Sequence, residues 1–353
     1  ANEAGERFAL LSILQRFTPK TETTQAIDAA LKLTAEVAAF ATLRGIPVTS
    51  LTEAKAFQKL RREREANRPV LKPAQMDIAY GTHARHKLDL WLTERDGPTP
   101  LLICIHGGGF RAGDKSQYQR QVNLIKRMHA AGISVAAINY RFTEGGKNPL
   151  PGAMHDAARA VQYLRHNARR FNLDKTRFAA TGGSAGACIL MWLGFHDDLA
   201  DPDNADPVKR ESTRLIALAP SGGQPTLSPV TFCKWFGVKN LTPHPAMRAI
   251  FGLPGEGAIE WTPELTERAR ISSPITYLTR DDPPCYQTYS SADTPVTAQS
   301  SPNKWVHHPR LGIKLKEAMD KLDIECHVQY KGGRPIPAYR GVNDFLVKKL
   351  TGK

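Results

Sequence analysis

Ser184 stands at the centre of Gly-Gly-Ser-Ala-Gly, residues 182–186, and His106 leads a run of three glycines, Gly107, Gly108 and Gly109, closed by Phe110. Each stretch directly follows an apolar run, "TPLLICI" at 99–105 and "RFAAT" at 177–181. A serine in G-x-S-x-G between a strand and a helix sits on a sharp turn that lifts its Oγ above the sheet edge. The helix that follows, starting at Ala185, points unpaired N–H groups at the same place. Three consecutive glycines are entropically costly. They gain a backbone free of side chains, so that several N–H groups can converge on one developing oxyanion. The chemistry that this pair of motifs serves is acyl transfer: Ser184 attacks a carbonyl, and the amides of Gly107, Gly108 and Ala185 receive the negative charge. His106 would orient the loop and take no part in proton transfer. A phosphate-binding loop needs G-x-G-x-x-G or a closing Gly-Lys-Ser/Thr, and "GGGFRAGDKS" has neither spacing.

"HGGGFRAGDK" and "GGSAGA" together resemble the α/β-hydrolases of the hormone-sensitive-lipase-like carboxylesterase type, especially the bacterial feruloyl-esterase-like and acetyl-esterase-like members. The resemblance runs from about residue 76 to the end. It implies a serine hydrolase of short carboxylic esters with a Ser–Asp–His triad and no metal or other cofactor. Gly183 departs from it, since relatives often carry Asp or Glu there. The acid is expected after a later strand, and "CYQTYSSADTPV" offers Asp293; Asp281 and Asp282 precede that strand and would face its wrong end. The base usually follows the last strand, but "KGGRPIPAYRG" contains no histidine. His327 lies inside the strand "IECHVQY" and reads as a packed residue. His307 and His308, in "WVHHPRLG" ahead of a helix, are therefore the expected base, with His308 placed first. Phe110 and Gln224, the latter just after "APSGG", are expected to line the substrate pocket. The "YR" at Tyr140-Arg141 resembles a mainly structural pair in relatives.

The elements that must hold these groups can be read outward from them. "PLLICI" and "ISVAAINYRF" are continuous apolar runs, as buried central strands should be. "QYQRQVNLIKRMHAAG", "MHDAARAVQYLRHNARRF" and "AGACILMWLGFHDD" read as helices between them. Strands alternating with helices predict a mostly parallel central sheet with helices on both faces, an α/β fold of the α/β-hydrolase kind. "MDIAYG" and "HKLDLWLTE" alternate like an antiparallel pair at its start. Residues 1–72 read as an N-terminal helical cap or brace, with Ser50 and Glu53 forming a capping box, and 73–353 as the catalytic domain. Residues 222–275, rich in Pro and Gly, break the rhythm and read as an insertion over the sheet.

Composition bounds the rest. The 353 residues are 41% hydrophobic and 23% charged, which is ordinary for a globular protein. No apolar run is long enough for a membrane span. The start "ANEAGERF" lacks Met and a basic n-region, which is consistent with a mature secreted or periplasmic chain and equally with a cytoplasmic one. A formal net charge of +14 favours anionic partners or substrates. The basic residues are scattered and not interleaved with aromatics, which argues against nucleic-acid binding. The five cysteines show no metal-like spacing and read as buried free thiols. The expected substrate is a small-molecule ester, anionic or carbohydrate-linked. Two alternatives stay open. One is a non-catalytic binding protein on the same fold, favoured by the missing histidine after the last strand. The other is a carbohydrate-ester (acetyl or feruloyl) esterase or peptidase with the same triad.

Overall fold

The structure, a computed structural model, describes Lys59, residues 69–253 and residues 259–353. The chain divides into two units, Ala1–Pro69 and Val70–Lys353. Lys59 and 69–72 apart, the helices expected over 1–72 lie outside the described residues. Residues 69–72 carry no regular secondary structure. The backbone N–H of Leu71 donates to Gln119 O, and its carbonyl accepts from Trp91 Nε1, both at 2.8 Å.

Among the described residues the second unit holds one eight-stranded sheet. Its strands are β1 (Gln75–Ala79), β2 (Lys87–Trp91), β3 (Thr99–Ile105), β4 (Ser134–Ile138), β5 (Leu173–Gly183), β6 (Leu218–Ser221), β7 (Cys285–Ala292) and β8 (Cys326–Lys331). The spatial order is β1-β2-β4-β3-β5-β6-β7-β8. β1 pairs antiparallel with β2, and β2 antiparallel with β4, while every later pairing is parallel. The helices are α1 (Val122–Ala130), α2 (Gly152–His166), α3 (Ala185–Phe195), α4 (Pro229–Phe236), α5 (Met247–Ile250), α6 (Pro263–Ile271), α7 (Pro302–Val306), α8 (Pro309–Asp320) and α9 (Val342–Thr351). The segment expected as an insertion thus supplies α4, α5 and α6, between β6 and β7.

The strand period of two sorts the core into two layers. From β3, Leu101, Ile103 and Ile105 join the cluster that contains α2, α3 and α8; Leu102 and Cys104 join the one that contains α1 and α9. All seven residues of β3 are buried, which is why its sequence is a continuous apolar run and not an alternating one. Burying each of its Leu and Ile side chains contributes about 1.5–3 kcal/mol. α3 is buried on every side, so it has no polar face. The sheet and helix layers therefore hold the strand ends rigidly. β3, β5, β6 and β7 deliver Ile105, Gly183, Ser221 and Ala292 to one carboxyl edge. That is the edge where open α/β sheets bind ligands.

Candidate active site

Ser184 adopts φ 51° and ψ −115°, between the end of β5 and the start of α3. Its N–H donates to Ser221 O at 2.8 Å, so the neighbouring strand pins the turn. The flanking glycines are there for clearance. A Cβ on Gly182 would meet Ile105 O at 2.5 Å, and one on Gly186 would meet the same oxygen at 2.1 Å. At Gly183 a Cβ would meet only Ser221 O, at 3.9 Å. Gly183, the position that departs from the resembling family, is accordingly free to carry a side chain.

The glycine loop packs directly on this turn. A Cβ on Gly107 would meet Gly183 O at 2.7 Å and Ser184 Cβ at 3.5 Å. Gly108 sits at φ +111°, where a Cβ would strike Ala112 O. Ala185 is the first residue of α3, where N–H groups have no intrahelical acceptor. The backbones of Gly107 and Ala185 thus approach Ser184 from two sides. His106 is fully buried and stacked on Tyr140, ring centroids 4.4 Å apart. Its Nδ1–H donates to Gly107 O at 2.8 Å, and its Nε2 accepts from Arg85 Nη2 at 3.2 Å. Burial drives its pKa down to about 4. His106 is therefore neutral and holds the loop, as expected from its sequence position. Tyr140 Oη donates to His106 O at 2.9 Å. Arg141 is clamped on Asp156, Nη2 to Oδ1 at 2.7 Å.

The two adjacent histidines have separate surroundings. Ser184 Oγ lies 2.8 Å from His307 Nε2. Asn303 lies one helical turn earlier, and its backbone favours the charged form of the ring. Burial pulls the His307 pKa below its ordinary value, and the Asn303 backbone opposes this. His308 faces elsewhere: its Nε2–H donates to Thr294 O at 2.8 Å, and its Nδ1 accepts from Arg310 N at 3.1 Å as the N-cap of α8. Its pKa too is lowered by burial. The expected order of the pair is thereby reversed. A residue preceding a proline at helix position N1 is the N-cap, and its side chain turns back to its own helix. Pro309 held that signal, and it leaves His307 as the free ring.

Asp293 is also placed differently from expectation. It accepts two hydrogen bonds from Arg310, Nε to Oδ1 at 3.1 Å and Nη2 to Oδ2 at 3.0 Å, and its Oδ1 stands 3.7 Å from His308 Nδ1. Among the described residues no carboxylate pairs with His307. The guanidinium of Arg310, two positions past His308, occupies Asp293 with a bidentate ion pair that sequence reasoning did not anticipate. His244 is a further omission. It lines the same pocket as Ser184, its Nδ1 accepts from Ala246 N at 3.2 Å, and its pKa is lowered chiefly by burial and then by His307.

Two hollows meet at Ser184. A polar cleft of about 650 Å³ is lined by Gln117, Gln121, Ser290, Ser291, Asn303, Lys304 and His307, with Gly107 and Gly183 at its base. On the other side lies an apolar pocket of about 60 Å³. Phe110 and Gln224 line this second pocket. Phe110 is buried at φ 60°. The Gln224 Nε2 group donates to Gly222 O at 2.8 Å and Val306 O at 2.6 Å, so it also ties the turn after β6 to the His307 segment.

The BD-FAE family matches residues 88–304, well over half of the sequence, and the matched span includes both Ser184 and the glycine loop. This chain belongs to the BD-FAE family. The BD-FAE chain is also similar to a probable carboxylic ester hydrolase, LipM, of Mycobacterium tuberculosis (strain ATCC 25618 / H37Rv): 25% identical over 236 residues, 64% of this chain and 49% of LipM. The chain thus spans about half the length of that relative. Among solved structures, a truncated carbohydrate esterase from gut microbiota has a TM-score of 0.61 at 18% identity, covering 81% of this chain and 98% of that one. An acetyl ester-xyloside bifunctional hydrolase from Caldicellulosiruptor lactoaceticus has a TM-score of 0.56 at 20% identity, covering 74% and 86%. At such identities these two likenesses establish the fold, which is that of an α/β-hydrolase.

Proposed function

We propose that this BD-FAE protein hydrolyses small-molecule carboxylic esters through an acyl-enzyme on Ser184. The observation that carries the reading is the 2.8 Å contact between Ser184 Oγ and His307 Nε2, on a left-handed elbow packed against Gly107. His307 Nε2 takes the hydroxyl proton as Oγ attacks the ester carbonyl. The N–H groups of Gly107, Gly108 and Ala185 receive the oxyanion. The imidazolium then returns the proton to the leaving alcohol, and water repeats the sequence to release the acid. The BD-FAE match and the relatives named as ester hydrolases support this reading.

Among the described residues no carboxylate takes the usual third place of the triad beside His307. A triad carboxylate has two tasks: it fixes the tautomer and stabilises the imidazolium. Here the Asn303 backbone favours the imidazolium only as a dipole. Asp293 acts at one remove, holding Arg310 beside the His308 cap.

The polar cleft favours a polyhydroxylated alcohol. Amides from Gln117, Gln121 and Asn303 and hydroxyls from Ser290 and Ser291 offer neutral donors and acceptors, and Lys304 adds a cation at the rim. Carbohydrate esters suit that lining, and the two structural neighbours are named for such substrates.

A test is covalent labelling with an organophosphonate, read by intact mass, together with turnover of p-nitrophenyl acetate and acetylated xylan. A single adduct that maps to Ser184, and loss of both turnover and adduct in Ser184→Ala, is the expected result. An unlabelled wild type without turnover would leave the fold as a binding protein.

A further inference from the structure

The lining of the two hollows fixes which of them takes the acyl group and how long that group can be. Proton delivery decides the first point. The leaving alcohol must receive the proton held by His307, and His307 lines the polar cleft but not the apolar pocket. The alcohol therefore departs through the cleft. The acyl tail points the other way, past Ser184 and Ala185 into the apolar pocket walled by Phe110, Phe232, Met247, Ile250 and Trp305. At about 60 Å³, against about 340 Å³ for the cavity beyond it, this pocket takes only a short tail. That is the tail of an acetyl or propionyl ester.

Beyond its wall lies a second apolar cavity of about 340 Å³, lined by Val230, Leu241, Ile259 and Trp261 among others. Met247 and Trp305 line both hollows, so they form the partition. Trp305 is the fixed part. Its indole Nε1 donates to Thr242 O at 3.2 Å, and its ring packs on Phe232 with centroids 5.0 Å apart. Met247 has no such tether, and an unbranched thioether on three rotatable bonds adapts readily to its surroundings.

Resting on the ester-hydrolase reading above, we infer that Met247 sets the acyl-length limit: it closes the acyl pocket after two or three carbons and separates it from the larger cavity, which fits the distal part of a longer alkyl chain. Met247 is a specificity-determining residue in the inserted segment that takes no part in the proton chemistry.

The experiment is a kcat/KM series on p-nitrophenyl acetate, propionate, butyrate, hexanoate and octanoate for wild type, Met247→Ala and Met247→Val. Wild type should fall at least tenfold from propionate to hexanoate. Met247→Ala should raise the hexanoate-to-acetate and octanoate-to-acetate ratios of kcat/KM at least tenfold, with Met247→Val between, since one methylene in a hydrophobic pocket is worth about 10- to 200-fold. A wild type that prefers hexanoate, or folded variants whose profile runs parallel to wild type, would overturn the assignment. The wild-type profile decides even if both variants lose their thermal transition. Labelling of Ser184 by ethyl and octyl fluorophosphonates separates the two levels, fluoride leaving as the Oγ–P bond forms and His307 takes the proton. Labelling without a preference for the ethyl reagent removes the length limit alone. Absence of any adduct and any turnover removes the ester-hydrolase reading and this inference with it.

Discussion

A serine at φ 51° and ψ −115° occupies backbone space that costs a non-glycine residue roughly 1–3 kcal/mol, and its surroundings have to enforce it. The glycines on either side do so to different degrees. At Gly186 a Cβ would lie 2.1 Å from a backbone oxygen that cannot move aside, whereas at Gly183 it would meet nothing closer than 3.9 Å. Gly186→Ala should therefore lower stability by at least about 1–3 kcal/mol and abolish phosphonate labelling. Gly183→Ala should leave both within a few tenths of a kcal/mol and a few-fold; equal behaviour in chemical denaturation would contradict this. His307 carries the pH dependence. It must be neutral to accept the Ser184 proton, and burial holds its pKa below the ordinary 6.5. Activity is then full above that value and lost as pH falls through the lowered pKa. The acid limb of kcat/KM should have its midpoint below pH 6.5, and a midpoint at or above 6.5 would count against His307 as the base. His106, held down to about 4, stays neutral above that pH.

The glycine loop is an element with its own foundations. Asp114 caps the short 3-10 turn that follows it, accepting from Ser116 N at 2.9 Å, and receives Asn139 Nδ2 at 2.7 Å. Lys115 reaches back under the sheet edge, its Nζ 2.8 Å from the fully buried Asp89 and 2.7 Å from Asp77. The "GDK" of the motif is thus an anchor and not a substrate contact. Lys115→Met leaves Asp89 buried without its cation. A loss of about 3–5 kcal/mol is expected in urea denaturation. A loss under about 1 kcal/mol would show the pair to be dispensable. This element was legible in the sequence because its demands are local: a strand too apolar to be exposed, then backbone that only glycine can adopt. The same holds for the elbow. The inserted segment was not legible in that way. Its helices run only four to nine residues, too short for a periodicity to show which face they bury. Its part in the acyl pocket arises from packing against Phe110 and Trp305, which lie far from it in sequence.

At the scale of the whole molecule, the alternation of apolar runs and helical patterns was enough to predict a mostly parallel sheet with helices on both faces. It could not reveal pairings between side chains on different elements. Asp293 illustrates this, because its partner, Arg310, belongs to a helix that the sequence gives no reason to fold over that loop. Asp282 is a second case. Its side chain is inaccessible, and Oδ1 makes no hydrogen bond; the nearest cation, Arg214 Nη1, is 3.6 Å away. Burial raises its pKa from 3.8 to about 7. Between those values the unfolded chain has released the proton and the folded chain has kept it, so stability falls as pH rises from about 4 to about 7 and levels off above. Asp282→Asn should melt above wild type at pH 8, with the gap closing towards pH 4. A gap of the same size at both pH values would exclude the titration.

The chemistry depends on the pairing of Ser184 with His307, which no described carboxylate supports. The direct measurement is kcat/KM for p-nitrophenyl acetate in His307→Ala and His308→Ala side by side, with thermal melts to confirm folding. His307→Ala should lose about 10³-fold or more, as removal of a general base requires, while folded His308→Ala keeps its rate within about tenfold. A His307→Ala enzyme as active as wild type, or a loss confined to His308→Ala, would contradict the account.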